Sequence, residues 1–399
     1  MFFERKCVIL RIDFIDMRHY ALFLLVFLTS VSALKAQKRN VWEYEMDIPV
    51  YVDSIHKSLT YPLAWRNSRN SLGFDTWKSI ARQRVTECMG SQPPRAEKWD
   101  MEIVAEEQRN GYKAQKVAFQ LSRWYRVTAY ILIPDGKGRF PAINLLHDHG
   151  AHLYIGKEKM IAPVAEADDV VADADAWVRQ LYEGQYLGDY LASHGFVVFS
   201  IDAPLWGERG RKEGVDRKKY DIIAGNMMML GQNLCAYMHY DDIVSTDFLA
   251  SLPYVDAGRI GAAGLSMGAY RAWMLSALSD KVKAACAVCW MSTTSAQLTA
   301  KYGRKENGGF ANCIPGLRRY LDYPDIASLA APKPTLLISG SMDKLFPVDG
   351  VEGAFGIMRQ AWEDAGAAEN LKTSIEPQPH ECNKDNQKAI LDFMIKYLK

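Results

Sequence analysis

The chain reads as an α/β protein: a mostly parallel central sheet with an antiparallel start, helices on both faces, and an N-terminal extension. Three observations predict this. Short, continuously apolar runs at 142–146, 196–201, 260–264, 282–290, 335–339 and 371–375 alternate with helical stretches at 227–252, 268–279, 351–364 and 386–397. A strand buried on both faces shows no polar alternation, so this order implies parallel strands covered by helices. Before them, 101–106, 113–119 and 124–134 are closely spaced and divided by polar turns, as antiparallel neighbours are. Finally, no internal repeat or low-complexity linker interrupts 101–399, which makes it one domain.

Ahead of that domain, residues 1–36 read as an export signal. Arg18 and His19 precede the apolar run 21–28, and small residues follow at Ser30, Ser32, Ala33 and Ala36. This charged, apolar, small-residue order is that of a secretory signal peptide, and the run is too short to span a bilayer. Asp13 and Asp16 do not belong in such a segment, so Met17 is the expected start, with cleavage after Ala33 or Ala36. The alternative is a buried N-terminal helix. No Cys directly follows either cleavage site, so no lipid anchor is expected, and the mature chain is placed in the periplasm or outside the cell. Residues 37–100 form the extension, irregular and partly helical around GFDTWKSIARQRVTECMG.

Composition narrows the partners. With 399 residues, 49% of them hydrophobic and 24% charged, the chain can bury a large core without disulfide or metal staples. A formal net charge of +1 supplies no global field for nucleic acid or an anionic membrane, so a small molecule or neutral polymer is expected. Six cysteines follow the export segment: Cys88, Cys235, Cys286, Cys289, Cys313 and Cys382. The spacing of Cys286 and Cys289 mimics half a zinc site, but KAACAVCW is apolar and no second pair exists, so core packing is the better reading.

Two connections, 150–187 and 291–332, are longer than compact domains ordinarily hold without a role. Both leave the C-terminal ends of predicted parallel strands, where open sheets bind ligands. They are expected to rim a pocket.

Gly264-Leu265-Ser266-Met267-Gly268 is a G-x-S-x-G flanked by the strand-like RIGAAGLS and the helix-like AYRAWMLSAL. A strand, a strained turn and a helix in that order lift the Ser hydroxyl clear of the sheet. A hydroxyl needs a base to become a nucleophile, and the base needs an acid to hold it. His380, in the loop EPQPHEC, is the only histidine after Ser266. Asp343, in LLISGSMDKLFP just past a strand, is the expected acid; its rival Asp325, in YPDIASL, precedes that strand and reads as a helix N-cap. A tetrahedral intermediate needs two preorganised donors, expected from the backbone N–H groups of Met267 and His149. His147, Asp148 and His149 could instead approach a metal with His152, but two histidines at i, i+2 lack a third ligand, and neither metal nor cofactor is expected. Trp206, Arg209, Arg271 and Trp290 are candidate substrate contacts, with core packing or local ion pairing as the alternative for each. Lys157, Lys159 and Arg211 join Arg209 and Arg271 as a predicted cationic rim.

Together HDHG, IDAPLWGERG, GLSMG, LRRYLDYPDIASLAAPKP, SGSMDKLFP and PHE resemble the dienelactone-hydrolase and acetyl-xylan-esterase branch of the α/β-hydrolases, over 101–399. HDHG followed by GKEK, with SMGAYRAW, further resembles secreted bacterial polysaccharide esterases near carbohydrate esterase family 19, the pectin methylesterases. The resemblance implies an α/β-hydrolase catalytic domain that removes methyl or acetyl esters from plant cell-wall polysaccharide or oligosaccharide. Dienelactone hydrolases use Cys where this chain has Ser266, and glucuronoyl esterases place Arg where it has Met267, so neither activity is implied. Galacturonan methyl ester is the expected substrate, because its free carboxylates would meet the cationic rim. Acetyl xylan is the alternative, followed by a peptidase of the same fold and a glycan-binding protein with a dead site.

Overall fold

The computed structural model describes residues 44–45, 48–299, 301–302 and 308–399. The predicted export segment 1–36 and both expected cleavage sites lie outside them. The chain divides into two compact units, Met1–Ser58 and Leu59–Lys399. In the first, β1 (Tyr44–Glu45) pairs antiparallel with β2 (Ile48–Pro49), and a helix follows at Val50–Lys57.

The second unit holds a nine-stranded sheet. Its strands are β3 (Glu102–Arg109), β4 (Tyr112–Ser122), β5 (Tyr125–Pro134), β6 (Phe140–Leu146), β7 (Val197–Ile201), β8 (Val255–Leu265), β9 (Val282–Val288), β10 (Thr335–Gly340) and β11 (Leu371–Glu376). They lie in the order β11-β10-β9-β8-β6-β7-β5-β4-β3. β3, β4 and β5 are antiparallel, β5 meets β7 antiparallel, and β7, β6, β8, β9, β10 and β11 run parallel. The predicted sheet, antiparallel at its start and parallel afterwards, is the one observed.

Alternate residues of the parallel strands feed opposite faces, as the pleat requires. Ile143, Leu145, Cys286 and Val288 pack with the Leu187–Ser193 and Lys384–Leu398 helices on one face. Ala287 and Leu337 face the other, under the Met267–Leu278 and Val348–Asp364 helices. The stretch 227–252, expected as one helix, is two. Arg217–Met229 and Leu234–Ser251 are divided by Gly231 at φ +71°, and the Asn233 side chain caps the second by accepting from the Ala236 N–H.

Within the expected extension 37–100, the Phe74–Met89 helix packs into the core. Trp77, Ala81, Val85 and Met89 form an i, i+4 stripe on the Phe74–Met89 helix and enter the same apolar cluster as Trp273, Leu329 and Trp362. Trp77 Nε1 donates to the Leu63 carbonyl (2.7 Å), and Arg82 Nε donates to the Ala277 carbonyl (2.7 Å). Truncating a buried Trp of this kind costs about 3–5 kcal/mol, so this helix stabilises the domain rather than trailing from it.

Candidate active site

β8 ends at Leu265, and the next residue, Ser266, sits at φ 56°, ψ −123°, a conformation that strains a residue carrying a Cβ. The bend is tight because the backbones touch. A Cβ on Gly268 would lie 1.8 Å from the Leu146 carbonyl oxygen, and one on Gly264 would lie 2.4 Å from the same oxygen. The Ser266 N–H donates to the Val288 carbonyl (2.8 Å), and its own carbonyl accepts from the Tyr270 N–H (3.0 Å), which anchors the turn on both sides. The Ser266 side chain is left half-buried at the strand ends.

Asp343 follows β10 and His380 follows β11, and the parallel register brings them together. His380 Nδ1 lies 2.6 Å from Asp343 Oδ2, with the carboxylate side chain 1% exposed and the imidazole 20%. The other Asp343 oxygen accepts from the Leu345 N–H (2.8 Å), so the carboxylate is fixed before it meets the ring. Phe346 stacks on the imidazole at 6.1 Å. With Nδ1–H given to the carboxylate, Nε2 keeps its lone pair. Cys289 lies beside this pair and also has positive φ (57°). Burial and Asp343 push its thiol up to about 12, which keeps it protonated and a poor nucleophile beside Ser266.

Asp325, the rival acid, is bonded elsewhere. The helix Tyr323–Ala327 is capped by Asp322, and Asp325 is the third helical residue of a capping box, accepting from the Asp322 N–H at 2.9 Å. It also pairs with Arg66 Nη1 at 2.5 Å, while burial lifts its carboxyl to about 7.

The loop after β6 is braced throughout. His147 Nε2 accepts from the Ala203 N–H (2.9 Å), which leaves Nδ1–H to donate to the Asp148 carbonyl (2.9 Å) and no lone pair for an ion. Asp148 Oδ2 accepts from Trp177 Nε1 and Tyr182 Oη, and Lys159 Nζ donates to the carbonyls of Asp148, His149 and His152. Burial and Lys159 hold the His149 imidazole down to about 3, so it is neutral. Its Nδ1 accepts from the Ala151 N–H at 2.9 Å, so Nε2 carries the proton, buried without a partner among the described residues. Met267 opens the helix after Ser266, where a backbone N–H has no intrahelical acceptor.

The predicted substrate contacts turn inward. Trp206 is fully buried against His149 and Tyr220, and Trp290 packs among Tyr270, Trp273 and Phe346. Arg271 is fully buried and grips Asp242 with two bonds, of 3.0 and 2.6 Å. Arg209 is nearly buried and pairs with Asp241 (2.6 Å) and the Tyr237 hydroxyl (2.9 Å). The cationic rim is overturned with them. Lys157 and Lys159 are fully buried, and Arg211 bonds Glu166 at 3.0 Å. The physical reason is local: these loops bury carboxylates, and a buried charge without a counter-ion is not tolerated. Lys157 Nζ lies 3.0 Å from Asp202, 3.0 Å from Glu158 and 2.8 Å from Glu208. Burial alone would lower this ammonium, but the carboxylates outweigh it and hold it well above its ordinary value. The partners Asp202, Asp241 and Asp242 were missed in the sequence. The one signal for two of them is the adjacent acid pair Asp241-Asp242 in the helix CAYMHYDDIVSTDFLA, flanked by apolar Met238, Val244 and Phe248.

Comparison with known proteins agrees with this architecture. YtaP of Bacillus subtilis (strain 168), named as a hydrolase, is 27% identical over 289 residues, 72% of this chain and 89% of its own. A Bacteroides fragilis NCTC 9343 protein described as an acetyl xylan esterase superposes with a TM-score of 0.65 at 20% identity, over 82% of this chain and 81% of that one. Methylesterase BT1017 gives a TM-score of 0.55 at 18% identity, over 87% of this chain and 66% of its own. At these identities the two structures speak for the fold alone. The family model described as the Abhydrolase family matches residues 38–391, and the chain belongs to that family.

Proposed function

We propose that this abhydrolase is a serine carboxylesterase acting on esterified plant cell-wall polysaccharide, with Ser266 as nucleophile, His380 as base and Asp343 as its orienting acid. The observation that carries the reading is a strained Ser266 elbow directly after β8, on the same parallel sheet whose β10 and β11 lead into Asp343 and His380, a hydrogen-bonded pair 2.6 Å apart. Ser266 Oγ attacks the ester carbonyl while its proton passes to His380 Nε2. The tetrahedral oxyanion accepts from the backbone N–H groups of Met267 and His149. Collapse breaks the ester C–O bond, and His380 returns the proton to the departing alcohol. Water, deprotonated by His380, then cleaves the acyl-enzyme and releases the acid and Ser266. Asp343 keeps its proton-free form and steadies the imidazolium.

Two esters fit this chemistry. The methyl ester of a galacturonan would release methanol, and an acetylated xylan would release acetate. The inward turn of Lys157, Lys159 and Arg271 removes the cations that favoured the uronate, and this observation favours the acetyl ester. The shared fold with a protein described as an acetyl xylan esterase is compatible with an ester of a polysaccharide in either case. Plant cell-wall polysaccharide is met outside the cytoplasm, which accords with an export segment at 1–36; mass spectrometry of the mature chain, expected to begin near Gln37, tests that. The deciding experiment incubates the protein with methyl-esterified galacturonan and with acetylated xylan and assays methanol and acetate. Release of either, abolished in Ser266→Ala, supports the proposal. Inertness toward both polymers and toward p-nitrophenyl acetate refutes it.

A further inference from the structure

A cavity of about 430 Å³ opens at the start of β5, lined by Gln92, Trp124, Tyr125, Met227, Gln232 and Tyr237. β5 runs antiparallel to β7, with Ala129 opposite Ile201, the last residue of β7. Tyr125, four residues before Ala129, therefore projects beyond the end of β7, on the same rim of the sheet as Ser266. Between β5 and β8 lie β7 and β6, so the cavity stands roughly 14 Å along the rim from the elbow, three strand spacings of about 4.8 Å. The two places share a wall. Met227 and Tyr237 pack against the apolar cluster that contains Trp206 and Met267, the residue directly after Ser266.

The composition of the cavity is unusual for a surface. Trp124 is 73% exposed, and leaving a ring of that size in water forgoes burial that the core rewards. Beneath it the floor is held rigid. The Tyr125 hydroxyl donates to Asp241 Oδ1 (2.7 Å), Arg209 Nη1 donates to Asp241 Oδ2 (2.6 Å), and Arg209 Nη2 donates to the Tyr237 hydroxyl (2.9 Å). The guanidinium also sits 5.5 Å from the centroids of both tyrosine rings. Its charge is spent on Asp241, so the floor offers preset aromatic edges rather than a free cation. The primary amides of Gln92 and Gln232 stand at the wall.

Flat aromatic faces beside neutral amide donors and acceptors match one ligand chemistry: a pyranose ring, with apolar C–H faces and equatorial hydroxyls. We infer that this cavity is a distal subsite that holds a sugar unit of the polymer by stacking on Trp124, while the ester being cleaved lies at Ser266. The inference rests on the polysaccharide reading above and adds to it a place for the chain away from the reacting bond. A chain laid across the ends of β5, β7, β6 and β8 reaches both points. Arg209 is a positioning residue here, acting through Tyr125 and Tyr237.

The test measures binding without chemistry. Wild-type protein is titrated with de-esterified xylohexaose and hexagalacturonate, following tryptophan fluorescence and isothermal calorimetry. Saturable binding of one of them is expected, weakened at least tenfold in Trp124→Ala and only partly in Trp124→Phe, with circular dichroism unaltered. Gln232→Ala, a milder change at the wall, is expected to weaken the same binding several-fold. Equal binding by wild type and Trp124→Ala, or binding of neither sugar, overturns the subsite. Self-association that Trp124→Ala abolishes, without sugar binding, overturns it in favour of a second copy on this face. Failure of the esterase reading shows separately: no ester release from any substrate while sugar binding persists.

Discussion

Lys157 and His380 both rest on carboxylates at strand ends, yet their surroundings differ in kind. The Lys157 ammonium is fully buried, and each of its three N–H bonds can serve one of Asp202, Glu158 and Glu208, within 3.0 Å. His380 is partly exposed and has one carboxylate partner, which occupies Nδ1 and leaves Nε2 open. Both arrangements use the same attraction. The first is closed, with every donor spent, so it braces the loops after β6 and β7. The second is open by one atom, and that atom can move a proton. Counting charged residues near a site therefore says little; counting their unspent hydrogen-bonding atoms says more.

The comparison can be broken most sharply at the open end. Ser266→Ala is expected to lower kcat by about 10⁴-fold or more, as loss of a triad nucleophile does, with the fold intact by circular dichroism. Activity within tenfold of wild type in a folded variant would remove Ser266 from the chemistry. Next comes Asp343→Asn, expected to cost about 10³–10⁴ in kcat by misorienting His380. Asp325→Asn, at a buried capping position paired with Arg66, is expected to lower thermal stability and leave kcat within a few-fold. A reversed ranking in kcat would move the acid upstream.

The closed end is tested by stability instead. Lys157→Met leaves the buried Asp202 carboxylate without its cation, while Glu208 keeps Lys116 and Glu158 keeps Arg211, and is expected to cost about 3–5 kcal/mol in urea unfolding. A loss below about 1 kcal/mol would mean that the carboxylates are neutral, against the charge-balanced reading.

A last test uses a half-buried lysine with no carboxylate in hydrogen-bond contact, read per pH unit. Lys333 Nζ donates to the carbonyls of Ser276 and Ser279, both at 2.8 Å, and burial with Arg82 nearby lowers it to about 7. Its unfolded value is 10.5, so between pH 7 and 10.5 the unfolded chain holds a proton that the folded one lacks. Stability then rises with pH across that window, by at most about 1.4 kcal/mol per pH unit, and is independent of Lys333 below it. Lys157, raised instead, contributes no such slope there. Denaturant titrations at pH 6, 8 and 9.5 should show the rise in wild type and not in Lys333→Met; parallel curves would contradict the lowered value.

Short-range information was enough for much of this molecule. Apolar runs bounded by turns marked the six parallel strands, because a strand buried on both faces has little freedom in composition, and close spacing with polar turns marked β3, β4 and β5. Gly264 and Gly268 around Ser266 announced the elbow, since only glycine fits where the backbone passes Leu146. Asp343 and His380 were legible from chain order and strand ends, as the parallel register carries such residues to one rim. Other features had no local signature. Arg209, Arg271, Lys157 and Lys159 looked like an exposed cationic rim, and only the packing supplied Asp241, Asp242, Asp202 and the loop carbonyls that draw them inward. Trp77 read as part of an extension until the Phe74–Met89 helix met Trp273 and Trp362 in the core. Trp124 only opens the 124–134 strand in the sequence, and the fold is what brings Tyr237 and Gln232 beside it at one cavity. Sequence determined what each segment is, because local geometry depends on neighbours in the chain. Tertiary structure decided which side chains remain unspent, because burial and partnership depend on residues brought together from far apart.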